Sequence, residues 1–532
     1  MMRTTLKAVA SARQQSLGDM LRRSRRRHGA RTAIICGARR LTYDELDDRV
    51  DWLASGLSEF GIRKGDRIAL LARNSDAFVE VRFATARIGA ILVPINFMLD
   101  EVAIRYVLDH CGARILFVDA TTAGAAAGAV RGGIEAIFAI PGETELAPSG
   151  AGIAPAEQLY RMTPPPETDV LPDDPLQIVY TSGTESRPKG AVLSHAAVLW
   201  QYQSCIGDCE WSRETVALHA LPLFHCAQLD AMLGPGLSVG ATNVIMSVPS
   251  PGNILPAITQ HQVTSFFAPP TVWISLLRSP LFAENDLSSL RRAYYGASIM
   301  PLEVVRELIV RLPGLRLWNL YGQTEIAPLA TMLFPDEQLA HPGSVGRAVL
   351  HVTTRVVDDE MQDIPVGRIG EVVHRSPQLM TEYWQDPEKT LEAFAGGWFH
   401  SGDLATIDAE GYITIVDRKK DMIKTGRENV SSREVEEVLY AHPAVSEAAV
   451  VGLPHPTWIE AITAVIVLRD DVECHASDII DHCARSLAGF KVPKGVVFRS
   501  EIPKNASGKI MKRDLRALII PDDQGSSIEG QD

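Results

Sequence analysis

From about residue 40 to residue 350, short runs of β-branched and aliphatic residues alternate with stretches whose apolar positions repeat with a helical period. The short runs predict strands over Arg67–Leu71, Ile91–Ile95, Ile115–Val118, Gln177–Thr181, Val216–Leu221, Asn243–Met246, Arg292–Tyr295 and Leu315–Asn319. The longer stretches, such as Tyr43–Phe60, Ala77–Gly89 and Leu302–Arg311, predict helices. This alternation implies βαβ units and mostly parallel sheets. From Val352 to Val416 the strands shorten and turns multiply, which predicts a smaller β subdomain. A charged break, Asp417-Arg418-Lys419-Lys420-Asp421, precedes a compact α+β pattern. That pattern has helices at Ser431–Tyr440 and near Ser477–Leu487, and strands at Ala448–Leu453 and Ala464–Leu468. The expectation is an α/β protein: residues 1–419 form a large N-terminal domain of βαβ-layered sheets plus a small β subdomain, and residues 420–532 form a small α+β C-terminal domain.

A chain of 532 residues is too long for one hydrophobic core, in keeping with that division. Its net charge of −13 argues against a nucleic-acid partner or an anionic membrane surface, so any polyphosphate must be gripped locally. The seven cysteines form no C-x-x-C pair and no disulfide framework. They read as free thiols in a reducing compartment, which predicts a cytoplasmic protein. The basic residues Arg22, Arg23, Arg25, Arg26 and Arg27 have no apolar segment behind them. They read as a solvated helix face and not as a secretory signal. No apolar run is long enough to span a membrane.

The segment Tyr180-Thr-Ser-Gly-Thr-Glu-Ser-Arg-Pro-Lys-Gly190 carries the strongest chemistry. An apolar strand runs into hydroxyls, a glycine and a lysine, with a helix expected near Ser194. Such a loop can offer backbone N–H groups, hydroxyls and one cation to a triphosphate. It is not a Walker loop, because no glycine precedes Lys189 and Gly190 stands where Ser or Thr is required. Asn319-Leu-Tyr-Gly-Gln-Thr-Glu325 follows a strand and ends in a carboxylate suited to Mg²⁺. Ser401-Gly-Asp403 places a carboxylate where it can accept two ribose hydroxyls, and Arg418 supplies a permanent cation. Lys509 follows a glycine turn near the C-terminus. Taken singly, these are a polar turn, a capping aspartate, a surface arginine and an exposed lysine.

Together, and in this order and spacing, they resemble the AMP-forming acyl-CoA synthetases of the adenylate-forming superfamily. That superfamily also holds firefly luciferase and peptide-synthetase adenylation domains. The resemblance spans essentially the whole chain and extends to Leu221-Pro-Leu-Phe-His225 and Gly296-Ala-Ser-Ile-Met-Pro301.

The resemblance implies a role for each matching position. Thr181, Ser182, Gly183, Thr184 and Lys189 would belong to the phosphate loop. Tyr321 would stack on adenine, with Gly296, Ala297 and Ser298 lining the ring. Thr324 would touch the α-phosphate, and Glu325 with Thr181 would attend Mg²⁺. Asp403 would hold the ribose, and Arg418 the ribose and phosphates. His225 would border the acyl pocket and the route to CoA, and Lys509 would stabilise charge as the adenylate forms. A mobile C-terminal domain would turn about Lys420, bringing Gly426 and Arg427 to the pantetheine tunnel. The implied cofactors are ATP, Mg²⁺ and coenzyme A.

Four positions depart from the family pattern. Glu185 and Ser186 stand where a hydroxyl residue and glycine are usual, Ser401 replaces a threonine, and Arg427 stands where a second glycine is common. The implied reaction is ATP-dependent formation of an acyl-AMP from a carboxylic acid, then transfer to CoA by an acid–thiol ligase. Transfer to a carrier protein or partner enzyme is the alternative, and a homodimer is admitted. The small residues Ala227, Gly234, Gly236, Gly296, Ala297 and Gly322 predict room for a sizeable apolar acyl group, either a medium-to-long fatty acid or a bulky cyclic or aromatic acid.

Overall fold

The computed structural model describes residue 9 and residues 12–142, 152–181, 188–298, 300–425, 428–469, 472–504 and 510–519. All structural statements below concern these residues. The helix Tyr43–Phe60 shows why the pattern was legible. Thr42 and Glu45 close a reciprocal cap at its start, Leu46, Val50, Leu53 and Leu57 form its buried stripe, and Gly61 ends it at φ 106°. The basic cluster lies on the helix Leu17–His28, whose Leu17, Met20 and Leu21 are buried. Arg25 pairs with Asp44 at 3.1 Å and Asp48 at 2.6 Å, so part of this cluster serves helix–helix contact.

The chain divides into two compact units: Met1–Thr354 with His374–Phe399, and Arg355–Val373 with His400–Asp532. This division follows packing, whereas the expected break at Lys420 concerns motion, and the two partitions differ. By packing, most of the small β subdomain groups with the C-terminal segment.

The first unit holds two large sheets. In the nine-stranded sheet, Arg316–Gly322, Arg292–Gly296, Ser265–Phe267, Val216–His219, Thr242–Ile245 and Thr32–Cys36 run parallel. Antiparallel strands close both margins, with Leu329–Leu333 and Arg347–Ala348 on one side and Arg39–Thr42 on the other. In the eight-stranded sheet a parallel centre, including Arg67–Leu71, Ile91–Pro94 and Ile115–Val118, meets the antiparallel pair Pro175–Thr181 and Lys189–Ser194. The central strands are apolar on both faces because helices cover both sides.

The second unit carries a four-stranded sheet that ends in the hairpin Phe399–Ile407 and Ile413–Arg418. It also carries a five-stranded sheet built on the long pair Val445–His455 and Ile459–Leu468. Helices Ser432–Tyr440 and Ala476–Ser486 bury Val435, Leu439, Ile479 and Cys483 in the core of that sheet. No described helix is long and apolar enough to cross a membrane.

Candidate active site

The expected phosphate loop joins two strands and not a strand to a helix. Pro175–Thr181 and Lys189–Ser194 pair antiparallel, with Thr181 opposite Lys189 and Tyr180 opposite Gly190. The expected helix follows as His195–Asp208, capped by Ser194 Oγ accepting from the Ala197 N–H at 3.1 Å. Ser182, Gly183, Thr184, Glu185, Ser186 and Arg187 lie outside the described residues. The stems of the hairpin are tied down on both sides. Tyr180 Oη lies 2.7 Å from His110 Nδ1, Tyr106 donates its hydroxyl to the Pro188 carbonyl at 3.3 Å, and the Trp384 N–H donates to the Gly190 carbonyl at 2.7 Å. The Lys189 ammonium stands 5.4 Å from the ring centre of Tyr383.

The carboxyl ends of two neighbouring parallel strands supply the next group. Arg292–Gly296 leads into Ala297 and Ser298, and Arg316–Gly322 leads into the turn Thr324–Ile326. This edge is where open α/β sheets bind ligands. The strands approach so closely that a Cβ on Gly296 would stand 2.4 Å from the Leu320 carbonyl oxygen. A Cβ on Gly322 would stand 1.9 Å from the Pro328 carbonyl oxygen. Ala297 has φ 67°, a left-handed turn that exposes Ala297 and Ser298. Tyr321 is half-buried, while Thr324 and Glu325 are buried. The Cys226 thiol lies 3.4 Å from Thr324 Oγ1, and burial pushes its pKa up to about 12, so it stays a thiol. Tyr383 donates its hydroxyl to Glu325 Oε1 at 2.8 Å. Glu325 Oε2 has no partner among the described residues.

Leu221-Pro-Leu-Phe-His225 is held by a residue the sequence reading missed. Asn74 donates to the Leu221 and Met246 carbonyls at 2.8 and 2.9 Å and accepts from the Leu223 N–H at 2.7 Å. His225 Nδ1 accepts from the Ala227 N–H at 3.2 Å, which caps the helical segment beginning at Cys226. A π-helical turn, Leu229–Leu233, follows, with Asp230 fully buried between Arg82 at 2.5 Å and the Gln177 amide at 2.7 Å.

The small residues near this segment do not open a space. A Cβ on Gly234 would strike the Tyr202 ring at 2.0 Å, and one on Gly236 would lie 2.6 Å from Asn243 Oδ1. These glycines admit neighbouring side chains, just as Gly296 and Gly322 admit neighbouring backbone. Trp211, Met232, Phe266, Phe267 and Tyr294 are buried, and a Cβ on Gly236 would also lie 3.0 Å from the Trp211 ring. The expectation that small residues provide acyl room is corrected at these four glycines.

In the second unit, Asp403 and Arg418 face each other across the hairpin, with Arg418 Nε 3.1 Å from Asp403 Oδ1. Ser401 Oγ donates to the Val372 carbonyl at 2.6 Å and accepts from the Asp403 N–H at 3.0 Å. Glu371, also missed, accepts from the Gly402 N–H at 3.1 Å. Its other oxygen lies 3.3 Å from both His400 Nδ1 and Lys419 Nζ. Lys420 is exposed. Gly426, Arg427 and Lys509 lie outside the described residues.

The AMP-binding enzyme family profile matches residues 21–384, and that of the AMP-binding enzyme C-terminal domain matches residues 434–509. The chain belongs to the AMP-binding enzyme family. A feruloyl-CoA synthase of Amycolatopsis sp is 36% identical over 95% of this chain and 99% of that protein. The long-chain-fatty-acid–CoA ligase FadD13 of Mycobacterium tuberculosis is 35% identical over 90% of this chain and 93% of that protein. The crystal structure of the anthranilate CoA ligase AuaEII in complex with anthranoyl-AMP superposes with a TM-score of 0.86 at 27% identity, covering 95% of this chain and 97% of that one. This family member is therefore an acid–thiol ligase that works through an acyl-adenylate.

Proposed function

We propose that this ligase activates a carboxylic acid with an apolar, ring-bearing body. The observation that carries the site reading is the gathering of Tyr321, Thr324 and Glu325 at the strand ends, with Lys189 brought to the same place by Tyr383. The acid's carboxylate attacks the α-phosphorus of ATP. A C–O–P anhydride forms as the bond to pyrophosphate breaks. The CoA sulfur then attacks the acyl carbon, the thiol proton passes to solvent, and AMP leaves.

Each residue type suits its part of this sequence. Thr181, Ser182, Gly183, Thr184 and Lys189 hold the phosphates. Tyr321, Gly296, Ala297 and Ser298 hold adenine, while Asp403 and Arg418 hold the ribose. Thr324 and Lys509 face the charge that builds on the α-phosphate. His225 borders the reacting carboxyl group, and Gly426 and Arg427 line the approach of CoA. The part following Lys420 turns about that residue between the half-reactions, making 1–419 and 420–532 the functional domains.

Glu325 and Thr181 fit a cation shared with substrate. One Glu325 oxygen is open, and no group of three acidic, histidine or cysteine residues forms a cage among the described residues. That donor set suits Mg²⁺, which keeps water and substrate phosphates as ligands. When bound, Mg²⁺ would offset the charge of the phosphates.

A ring-bearing acid is supported by the near full-length match to a feruloyl-CoA synthase. A cytoplasmic setting is supported by seven free cysteines, six of them buried. The test is pyrophosphate release and thioester formation across phenylpropenoic, indolylacetic, benzoic and long-chain acids. A ring-bearing acid should lead in kcat/KM. A lead of about tenfold for a long-chain acid would overturn the substrate reading. Pyrophosphate release without thioester would move the acceptor from CoA to a carrier protein.

A further inference from the structure

We propose that Tyr383 is a positioning residue for the metal and phosphate end of the site: its hydroxyl sets the Glu325 carboxylate while its ring carries the Lys189 ammonium. This rests on the reading above in which Glu325 attends the cation and Lys189 the phosphates. Tyr383 is not in any motif that marks the site in sequence, and it lies 58 residues from Glu325 along the chain.

The backbone around Tyr383 is fixed from three directions. The strand Glu382–Tyr383 pairs antiparallel with Lys189–Ser194, placing Tyr383 opposite Ala191. The Thr381 N–H donates to the Val192 carbonyl at 2.9 Å, and the Trp384 N–H to the Gly190 carbonyl at 2.7 Å. The Tyr383 N–H itself donates to Thr390 Oγ1 at 2.9 Å. The same segment grips Glu325 by its main chain, through the Met380 N–H and the Glu325 carbonyl at 2.8 Å. One short stretch thus holds the lysine strand and the glutamate turn in register.

The phenol is buried, so its hydroxyl has little competition from water. An ionised carboxylate accepts only, and a bond to one oxygen fixes the plane of both. Tyr383 occupies Oε1 and leaves Oε2 as the oxygen open to a cation. A cation over an aromatic face is attracted by the ring quadrupole, which suits Lys189 at 5.4 Å. Tyr383 therefore positions the Lys189 ammonium and the Glu325 carboxylate from a single side chain.

Two substitutions separate the hydroxyl from the ring. Tyr383→Phe keeps the aromatic face and removes the bond to Glu325; Tyr383→Leu removes both. The measurement is equilibrium dialysis of radiolabelled ATP against the full-length chain, with Mn²⁺ and with EDTA, without acid or CoA. We expect Mn²⁺ to tighten ATP binding by wild type, and Tyr383→Phe to lose about tenfold of that gain, the size of one hydrogen bond to a charged group. Its metal-free ATP binding should stay near wild type, while Tyr383→Leu should weaken that too. If Tyr383→Leu fails to fold by thermal melting, Tyr383→Met takes its place. Glu325→Gln should lose the Mn²⁺ gain, and adding Tyr383→Phe to it should change nothing more, since a general packing defect would add. A Tyr383→Phe variant that keeps the full gain while Glu325→Gln loses it overturns this inference and leaves the site reading intact. Additive losses in the double variant overturn it as well. A Glu325→Gln variant with the full gain overturns the metal assignment itself, and the role of Tyr383 with it.

Discussion

Arg418 Nε lies 3.1 Å from Asp403 Oδ1, and the two residues face each other in the register of their hairpin. Asp403 is buried, so its charge needs this partner. The geometry depends on the turn at Gly402, whose φ of 70° suits glycine. The Gly402 carbonyl accepts from the Lys419 N–H at 2.9 Å, and its N–H donates to Glu371. Glu371 also meets the ammonium of Lys419, the residue after Arg418. One carboxylate thus braces both strands beside the pair.

Glu371→Ala should therefore harm ATP use more than it harms stability. It removes the acceptor of the Gly402 N–H and a counter-charge for Lys419, letting Asp403 shift against Arg418. We expect the KM for ATP in pyrophosphate exchange to rise about tenfold, in line with an interaction of 1.5–3 kcal/mol to a charged group. Glu371→Gln keeps an acceptor for Gly402 and should fall between. An Ala variant with an unchanged KM for ATP would remove Glu371 from the site.

Gly296→Ala should be costly although it adds one methyl group. The new carbon would lie 2.4 Å from the Leu320 carbonyl oxygen, so the strand carrying Tyr321 must move. Overpacking of this kind costs about 1–3 kcal/mol. Gly252→Ala is the contrast. It lies in the helix Pro251–His261, where the nearest atom to a new Cβ is Ser250 Oγ at 3.9 Å. That change should be neutral or slightly stabilising. Urea unfolding of both variants checks the pair, and equal effects would contradict the geometry.

Buried histidines should make the fold sensitive to mild acid. Burial pushes the pKa of His195 down to about 4 from its ordinary value of 6.5, and His219 likewise. His195 Nδ1 accepts from the Leu17 N–H at 3.1 Å, which requires the neutral ring edge. Between pH 6.5 and 4 the unfolded chain takes up a proton that the folded chain refuses, so stability falls as pH falls through that window. Each histidine contributes up to about 3 kcal/mol. His195→Asn supplies an acceptor that does not titrate, and should flatten the loss between pH 7.5 and 5 in urea titrations. Comparison with wild type also isolates this histidine from Glu80, whose burial raises its pKa and acts in the opposite sense. An identical pH slope in the variant would rule out His195.

The parts of the fold with strong local periodicity were legible in the sequence. Tyr43–Phe60 and Leu302–Arg311 have the expected bounds, and the expected parallel strands are present with ends shifted by no more than three residues. Lys189–Ser194 was not legible as a strand, because six residues show no period that excludes a helix start. Its conformation comes from pairing with Pro175–Thr181. Gly234 and Gly236 were read as space because a sequence shows a missing side chain and not the neighbour that fills its place. Glu371 and Tyr383 carried no signal, since a single acid or aromatic residue acquires its role only from partners 31 and 58 residues away.

Ile459 offers a test in which the backbone alone decides the sign. It begins the strand Ile459–Leu468 with φ 68°, a left-handed conformation that a β-branched side chain adopts only under strain. Its neighbours hold it there. His455 and Trp458 stack at 4.3 Å just before it, Thr425 pairs opposite it, and Glu460 accepts from the Lys424 N–H at 2.7 Å just after it. The side chain itself is 61% exposed, so replacing it forfeits little apolar burial. The left-handed conformation costs an ordinary residue about 1–2 kcal/mol. Asparagine tolerates that region, so Ile459→Asn should stabilise this sheet by about 1 kcal/mol. Glycine relieves the same strain but loses roughly 0.5–1 kcal/mol to the entropy of the unfolded chain, so Ile459→Gly should gain less. Ile459→Val keeps the branched Cβ and should change nothing. Amide exchange in Val445–His455 and Ile459–Leu468 reads the local effect directly. Slower exchange in the order Asn, Gly, Val and wild type is expected. Faster exchange in both the Asn and Gly variants would mean that the exposed isoleucine contributes contacts worth more than the strain it imposes.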